Sequence, residues 1–256
     1  MENLKWAIEE RVATITITRP PANALSSGLI TDLAAVLDQV ENNDEVRVVL
    51  IHGEGKFFSA GADIKEFTTI KGDGFENLSE NGQNVFERME SFPKPIIAAI
   101  HGAALGGGLE LAMACHIRLV TENAKLGLPE LQLGLIPGFA GTQRLPRYVG
   151  TARAAEMMIT SEPITGQEAV QYGLANHAYS DEDILENAYI LAKKMAQKSP
   201  ISVKATLNLL NYAKTGQFYE GIKKEAQLFG EVFVSEDAKE GITAFLEKRR
   251  PEFKGR

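Results

Sequence analysis

Ala13, Ile15 and Ile17 alternate with Thr14, Thr16 and Thr18, and this period of two predicts a strand with one buried face. Arg19-Pro20-Pro21-Ala22-Asn23 interrupts it. From Ser26 onward Leu29, Leu33, Val36, Leu37 and Val40 recur at helical spacing, with Ser26 or Ser27 as the cap. Val46 to Ile51 is almost wholly apolar and β-branched, the mark of a strand covered on both faces. Pro95 to Ile100 is a second such run, after a helical stretch from about Asn77 to Ser91. Ile117 to Val120 is a shorter third, and His177 falls in a late strand. Strands alternating with helices predict an α/β architecture. The polar, glycine-rich stretch Lys71 to Gly82 reads as a mobile loop. Beyond Asp181 strand signals disappear. Ile184, Ala188, Leu191 and Met195 form one amphipathic stripe. Val203, Leu207 and Leu210 form a second, and Ile222, Ala226, Phe229 and Phe233 a third. The division is therefore an α/β core over 1–180 and a helical region over 181–256, whose stripes need the core or another subunit to cover them.

Composition narrows the classes. The 256 residues are 44% hydrophobic and 24% charged, as in soluble globular proteins. With 27 basic against 34 acidic residues and a pI near 5.3, the chain lacks the basic balance of a nucleic-acid binder. Its one cysteine, Cys115, cannot form an internal disulfide, which fits a reducing compartment. No signal-peptide pattern and no apolar run of membrane-spanning length is present, so the expectation is a cytoplasmic protein with no membrane partner.

A faint internal echo points to the chemistry. Ile51-His52-Gly53 leads into the small-residue turn Ser59-Ala60-Gly61-Ala62-Asp63 and a helix, and Ile100-His101-Gly102 leads into Ala103-Ala104-Leu105-Gly106-Gly107-Gly108 and a helix. Helix N-termini after such turns present unpaired N–H groups that stabilise an anion or a developing oxyanion. The alternatives are a close helix–strand crossing for the glycines and an ordinary turn, capped by Asp63, for the other. Glu110 and Glu130 are acids set among apolar residues near helix starts. A carboxylate moved out of water has a raised pKa and exchanges protons near neutrality, although each Glu singly is also accounted for as a helix-start residue. His52, His101, His116 and His177 are isolated, and Cys115-His116 lacks further ligands at metal-site spacing, so no metal is expected. Neither a dinucleotide fingerprint nor a P-loop is present.

Taken in order, Arg19-Pro-Pro-Ala-Asn-Ala-Leu25, Phe58-Ser-Ala-Gly-Ala-Asp-Ile-Lys65, Pro95-Ile-Ile-Ala-Ala-Ile-His-Gly102, Ala104-Leu-Gly-Gly-Gly-Leu-Glu-Leu-Ala-Met113, Gly127-Leu-Pro-Glu-Leu-Gln-Leu-Gly134, Ile136-Pro-Gly138, Gly141-Thr-Gln-Arg-Leu145 and Ala244-Phe-Leu-Glu-Lys-Arg249 resemble the crotonase (enoyl-CoA hydratase/isomerase) family, most closely its enoyl-CoA hydratases. The resemblance runs almost end to end. It implies an α/β crotonase-like spiral of ββα units with a C-terminal helical trimerisation region, and a homotrimer or dimer of trimers. It implies reversible addition of water across the conjugated double bond of a trans-2-enoyl-CoA, in β-oxidation or short-chain acyl-CoA metabolism. The backbone N–H groups of Ala62 and Gly107 match the oxyanion hole, and Glu110 and Glu130 the catalytic pair, with Glu130 as proton donor and Glu110 as activator of the water. Ala60, Ala62, Asp63, Ile64, Lys65 and Gly107 match the stretches along the acyl-CoA, and Phe245 and Lys248 match tail residues that reach the nucleotide end from a neighbouring subunit. No cofactor is implied, because coenzyme A is carried by the substrate. Two alternatives accompany this reading: an enoyl-CoA isomerase or another acyl-CoA lyase, and a non-catalytic or RNA-binding relative. The Lys71 to Gly82 stretch and Phe139-Ala140 have the position to shape the acyl pocket, so chain length stays open.

Overall fold

A computed structural model describes residues 1–68 and 74–256. The chain opens with a hairpin of β1 (Leu4–Glu9) and β2 (Val12–Ile17), whose turn residues Glu10 and Arg11 both have positive φ. Helix α1 (Ser27–Glu41) follows, its first turn capped by the Ser26 side chain accepting from the Leu29 N–H. Next come β3 (Val48–Gly53), the short α2 (Ile64–Phe67), α3 (Gly74–Glu90) and β4 (Ile96–Ile100). After β5 (Ala103–Leu105) and α4 (Gly107–Ala114) the chain runs through β6 (Ile117–Thr121) and β7 (Lys125–Gly127) to a 3-10 turn over Glu130–Leu133. The helices α5 (Gly141–Val149) and α6 (Thr151–Thr160), the strand β8 (Ile164–Thr165), α7 (Gly166–Gln171) and β9 (His177–Tyr179) complete the α/β part. Four helices end the chain: α8 (Ile184–Ala196), α9 (Pro200–Lys214), α10 (Phe218–Phe233) and α11 (Glu236–Leu246).

Among the described residues, six strands form the larger sheet in the order β1-β2-β3-β4-β6-β9, parallel except for β1. Its central strands are apolar at every position for the reason their sequence gives: alternate residues enter two different cores. Val49, Ile51, Ile96, Ala98 and Ile100 face the main core with α1 and α4, whereas Val48, Leu50, Ile97 and Ala99 face Ile184, Ala188, Ala192 and Ala196 of α8. The first stripe of the helical region therefore covers the sheet. α9 and α10 contain no fully buried residue, and Phe218, Phe229 and Phe233 stand in the open.

The smaller sheet, β5-β7-β8, positions the site. Ala104 of β5 pairs in parallel with Leu126 of β7, and on the other side an isolated parallel bridge joins it to Ser59. Three successive passes of the chain, each arriving from a strand of the larger sheet, are thereby locked in one register at Ser59, Ala104 and Leu126.

The mobile loop expected over Lys71 to Gly82 is corrected where the structure describes it. Gly74 to Gly82 belongs to α3, while Lys71 to Asp73 lie outside the described residues. Gly82, Phe86 and Met89 form the buried face of that helix at helical spacing, and the glycine is there because another side chain occupies the space beside it.

Candidate active site

The site lies where those three passes leave the small sheet. Ala62 and Gly107 each follow the ladder positions Ser59 and Ala104 by the same three residues, and Glu130 follows Leu126 closely. The bond from the Leu105 N–H to the Ser59 carbonyl (3.1 Å) and that from the Gly106 N–H to the Gly127 carbonyl (2.9 Å) hold the turns side by side. Leu25 bridges to Ala62 by donating to the Gly61 carbonyl and accepting from the Asp63 N–H, so the Ala62 N–H itself is left unused. Gly106 has φ 50 and ψ −127, a conformation closed to residues with a β-carbon, and it turns the chain into α4 with the Gly107 N–H at the first helical position. Neither amide donates to an acceptor among the described residues. The glycine run also serves the packing role weighed for it, since a β-carbon at Gly108 would overlap the Ser59 carbonyl.

Both carboxylates reach the same cavity, of about 330 Å³, with Ala60, Ala62 and Gly107 in its wall. Glu110 is 1% exposed. Its Oε1 accepts from the Phe139 N–H at 2.8 Å and the Gly141 N–H at 2.7 Å. The left-handed conformation of Ala140 (φ 66) turns those two amides toward one oxygen. Burial, then the negative charge of Glu130, push Glu110 up to about 7, against the pull of the two amides and the Arg144 guanidinium. Glu130 opens the 3-10 turn that Gly134 closes in the left-handed region. Burial raises its pKa too, and its Oε2 is buried with no hydrogen-bond partner among the described residues. Its Oε1 sits 2.8 Å from where a β-carbon of Gly106 would stand, so the glycine turn and this carboxylate are in contact.

Two unused N–H donors facing a cavity with two protonatable carboxylates can hold a developing oxyanion while a proton moves on and off a neighbouring carbon. Residues 7–256 match the family described as enoyl-CoA hydratase/isomerase. This chain belongs to that family. It is 60% identical to the probable enoyl-CoA hydratase of Bacillus subtilis across the full length of both chains, and 42% identical to the short-chain-enoyl-CoA hydratase of Clostridium acetobutylicum over 100% of this chain and 99% of that one. A solved enoyl-CoA hydratase from Bacillus anthracis superposes with a TM-score of 0.95 at 37% identity, covering 99% of this chain and 100% of that one.

The other residues assigned from the enoyl-CoA hydratase/isomerase resemblance are distributed unequally. Ala60 and Ile64 line the cavity. Lys65 is exposed on α2 and does not line it. Asp63 caps α2 by accepting from the Lys65 N–H (3.0 Å) and forms an ion pair with Arg19, which holds its carboxyl below the usual range. Its carboxylate is thus engaged within the protein, and the capping alternative weighed for it is realised. Phe245, 83% exposed, and Lys248 lie on the C-terminal region, and neither lines the cavity of its own chain.

His52, His101 and His116 are tied to neighbouring groups. His52 bonds to Thr16 and the Gly53 carbonyl, and His101 to the Gly55 carbonyl. His116 accepts from the Ile96 N–H and is pushed down to about 4 by burial. No group of three or more His, Cys, Asp or Glu side chains placed to hold a metal occurs among the described residues. What the sequence reading missed is the support of Glu110. The donors are main-chain amides, which leave no side-chain signature. Arg144 is buried, donates to the Phe139 carbonyl (2.6 Å) and is held by Glu90 (2.8 Å). Arg144 was visible only as a letter in the Gly141 to Leu145 motif.

Proposed function

We propose that this chain is an enoyl-CoA hydratase that adds water reversibly across the conjugated double bond of a trans-2-enoyl-CoA, giving the 3-hydroxyacyl-CoA. The observation that carries the reading is the meeting of two unused backbone N–H groups with two carboxylates in one largely apolar cavity. The Ala62 and Gly107 N–H groups hold the thioester oxygen. As hydroxide equivalent from water bonds to C3, the double-bond electrons move onto that oxygen, and fixed donors oppose the charge without reorganising. Glu110 takes the proton from the water and Glu130 gives one to C2. The proton then passes between the carboxylates to restore the starting state. The two carboxylates are coupled, so their apparent pKa values belong to the pair. The intact Glu110 favours hydration over isomerisation, since activating water requires a second base. An acidic chain with this site complete has no feature that favours the RNA-binding alternative.

The thioester's coenzyme A arrives with the substrate, and no other cofactor enters the scheme. The acyl-CoA lies along Ala60 to Lys65, with Phe245 and Lys248 reaching its nucleotide end from a neighbouring subunit. That assignment makes residues 181–256 the assembly region of a homotrimer or dimer of trimers on the 1–180 core. Its support is the exposure of Phe218, Phe229, Phe233 and Phe245 on α10 and α11. The reaction belongs to fatty-acid or short-chain acyl-CoA metabolism, in the cytoplasm. No helix among the described residues is long and apolar enough to cross a membrane.

The test is loss of the ultraviolet absorbance of crotonyl-CoA on adding the protein, with Glu130→Gln and Glu110→Gln alongside. Each variant should lose about 10²–10⁴-fold in kcat, the usual worth of a positioned acid or base, with little change in acyl-CoA affinity by calorimetry. Near-wild-type turnover in either variant would remove that carboxylate from the mechanism.

A further inference from the structure

Phe139 joins the catalytic support to the far wall of the cavity. Its N–H donates to Glu110 and its carbonyl accepts from Arg144, while its ring, 5% exposed, lines the cavity. The ring is clamped. A β-carbon at Gly82 of α3 would overlap it, 2.5 Å from Cε1, and one at Gly107 of α4 would stand 3.2 Å from Cδ2 and Cε2. Phe86 closes the third side edge-on, with ring centroids 5.5 Å apart at 75°. The loop that carries Phe139 is fastened to the same helix, because the Ser79 hydroxyl and the Gln83 amide both donate to the Gly138 carbonyl.

We propose that the Phe139 ring is the stop that fixes acyl-chain length, that Gly82 is the positioning residue that admits the ring, and that the substrates are therefore short-chain enoyl thioesters. This rests on the hydratase reading above. The cavity is also lined by the apolar side chains of Ile64, Phe67, Leu78, Leu133 and Leu135, so it takes an apolar chain. The ring touches Gly107, the residue whose N–H holds the thioester oxygen, so the space for the acyl tail on that side ends close to the reacting carbons. Close packing on three sides leaves the ring no room to swing away.

The experiment measures kcat/KM for a series of trans-2-enoyl-CoA thioesters from crotonyl to decenoyl. The wild type should fall off beyond the shortest members. Each buried methylene is worth about fourfold in binding, so Phe139→Ala should raise the octenoyl-to-crotonyl ratio by about tenfold or more even if the opened space partly relaxes. Gly82→Ala should press the ring into the cavity and lower the hexenoyl-to-crotonyl ratio. In the Phe139→Ala background the same Gly82→Ala change should leave that ratio within about twofold, because the added β-carbon then has space. Parallel losses at every chain length in both single variants would show a structural role only and overturn the proposal. Phe139→Leu, a smaller change, decides between the same two outcomes if Phe139→Ala does not fold. Should the wild type hydrate none of these thioesters, the hydratase reading fails by itself. Calorimetry with butyryl-CoA and decanoyl-CoA then decides the stop, which stands if Phe139→Ala selectively tightens decanoyl-CoA and falls if it does not.

Discussion

Replacing Glu110 by Gln should stabilise the protein at high pH while destroying its activity, and the size of the effect follows from the burial of one carboxylate. Glu110 is raised from the ordinary 4.5 to about 7, first by desolvation and then by Glu130. A group whose acid form is favoured in the folded state binds more protons folded than unfolded between those two values. Stability is therefore unaffected below about pH 4.5, falls as pH rises toward 7, and is level above it. At about 1.4 kcal/mol per pK unit, the full cost of ionising Glu110 in place is about 3 kcal/mol, of which some 2.5 kcal/mol develops between pH 5 and pH 8. Gln keeps an oxygen for the Phe139 and Gly141 N–H groups but never ionises. Its amide nitrogen replaces the other carboxylate oxygen at every pH, so that change does not itself vary with pH. Urea denaturation of both proteins at equal protomer concentration, from pH 5 to pH 8, isolates the pH-dependent part because the other titrating groups are shared. The variant should gain about 2.5 kcal/mol relative to wild type across that range. A difference flat to within about 0.5 kcal/mol, the scatter expected between independent effects, would mean that Glu110 is not a desolvated acid and that its proposed readiness to exchange protons is wrong.

Two further outcomes bear on the hole and on the support of the pair. Gly107→Pro deletes one proposed donor and should cost about 10²–10³-fold in kcat with far-ultraviolet circular dichroism unchanged; turnover of crotonyl-CoA within a few-fold of wild type would place the oxyanion elsewhere. Arg144 lowers the pKa of Glu110 by its charge, so Arg144→Gln should move the rising limb of the kcat/KM pH profile to higher pH, whereas Arg144→Lys, which keeps the charge, should leave the limb in place. A limb that stays put in Arg144→Gln would make Arg144 a packing residue alone.

Much of the fold was legible because its strands are buried on two faces and its first helix on one. Val46 to Ile51 and Pro95 to Ile100 could hardly be anything but covered strands, and of the two serines read as the cap of the first helix it is Ser26 that caps it. The hairpin partner β1 went unread, although Leu4, Trp6 and Ile8 alternate with Lys5, Ala7 and Glu9, because the turn at Glu10-Arg11 carries no glycine or asparagine to announce itself. The loop reading of Gly74 to Gly82 failed for the opposite reason, and from Asn77 onward it ran against the helical reading of Asn77 to Ser91, which the structure bears out. A glycine signals a loop by its freedom, but Gly82 is needed for smallness beside a ring contributed from elsewhere in the chain. The internal echo was real in kind, two passes of strand, turn and helix, but the match of His52 with His101 is not the ladder pairing, in which His52 stands opposite Ala99. Register is a property of the ladder, and the differing lengths of the connections to Ser59 and Ala104 hide it from the sequence. The carboxylates themselves could be picked out as acids among apolar neighbours, but the amides that hold Glu110 belong to residues whose side chains play no part in the contact.

That asymmetry has a chemical consequence for the proposed site. The oxyanion donors are backbone groups fixed by the register of three passes at Ser59, Ala104 and Leu126, so no single side chain supplies them and most substitutions leave them in place. What the cavity does to a bound thioester enolate then depends on a few replaceable side chains. In the proposed mechanism Glu110 and Glu130 decide whether water is activated and where a proton is delivered, and Phe139 is the proposed limit on how much chain can follow. The proposed hole is compatible with both activities in the family description, since hydration and isomerisation of an enoyl thioester can each place negative charge on the thioester oxygen. In this chain the Glu110 carboxylate is desolvated, held by two amides and acted on by the charge of Arg144, and its desolvation costs stability. Such a cost is hard to account for in a fold kept only for assembly. A buried carboxylate of this kind is accounted for by the role proposed for it, taking a proton from water.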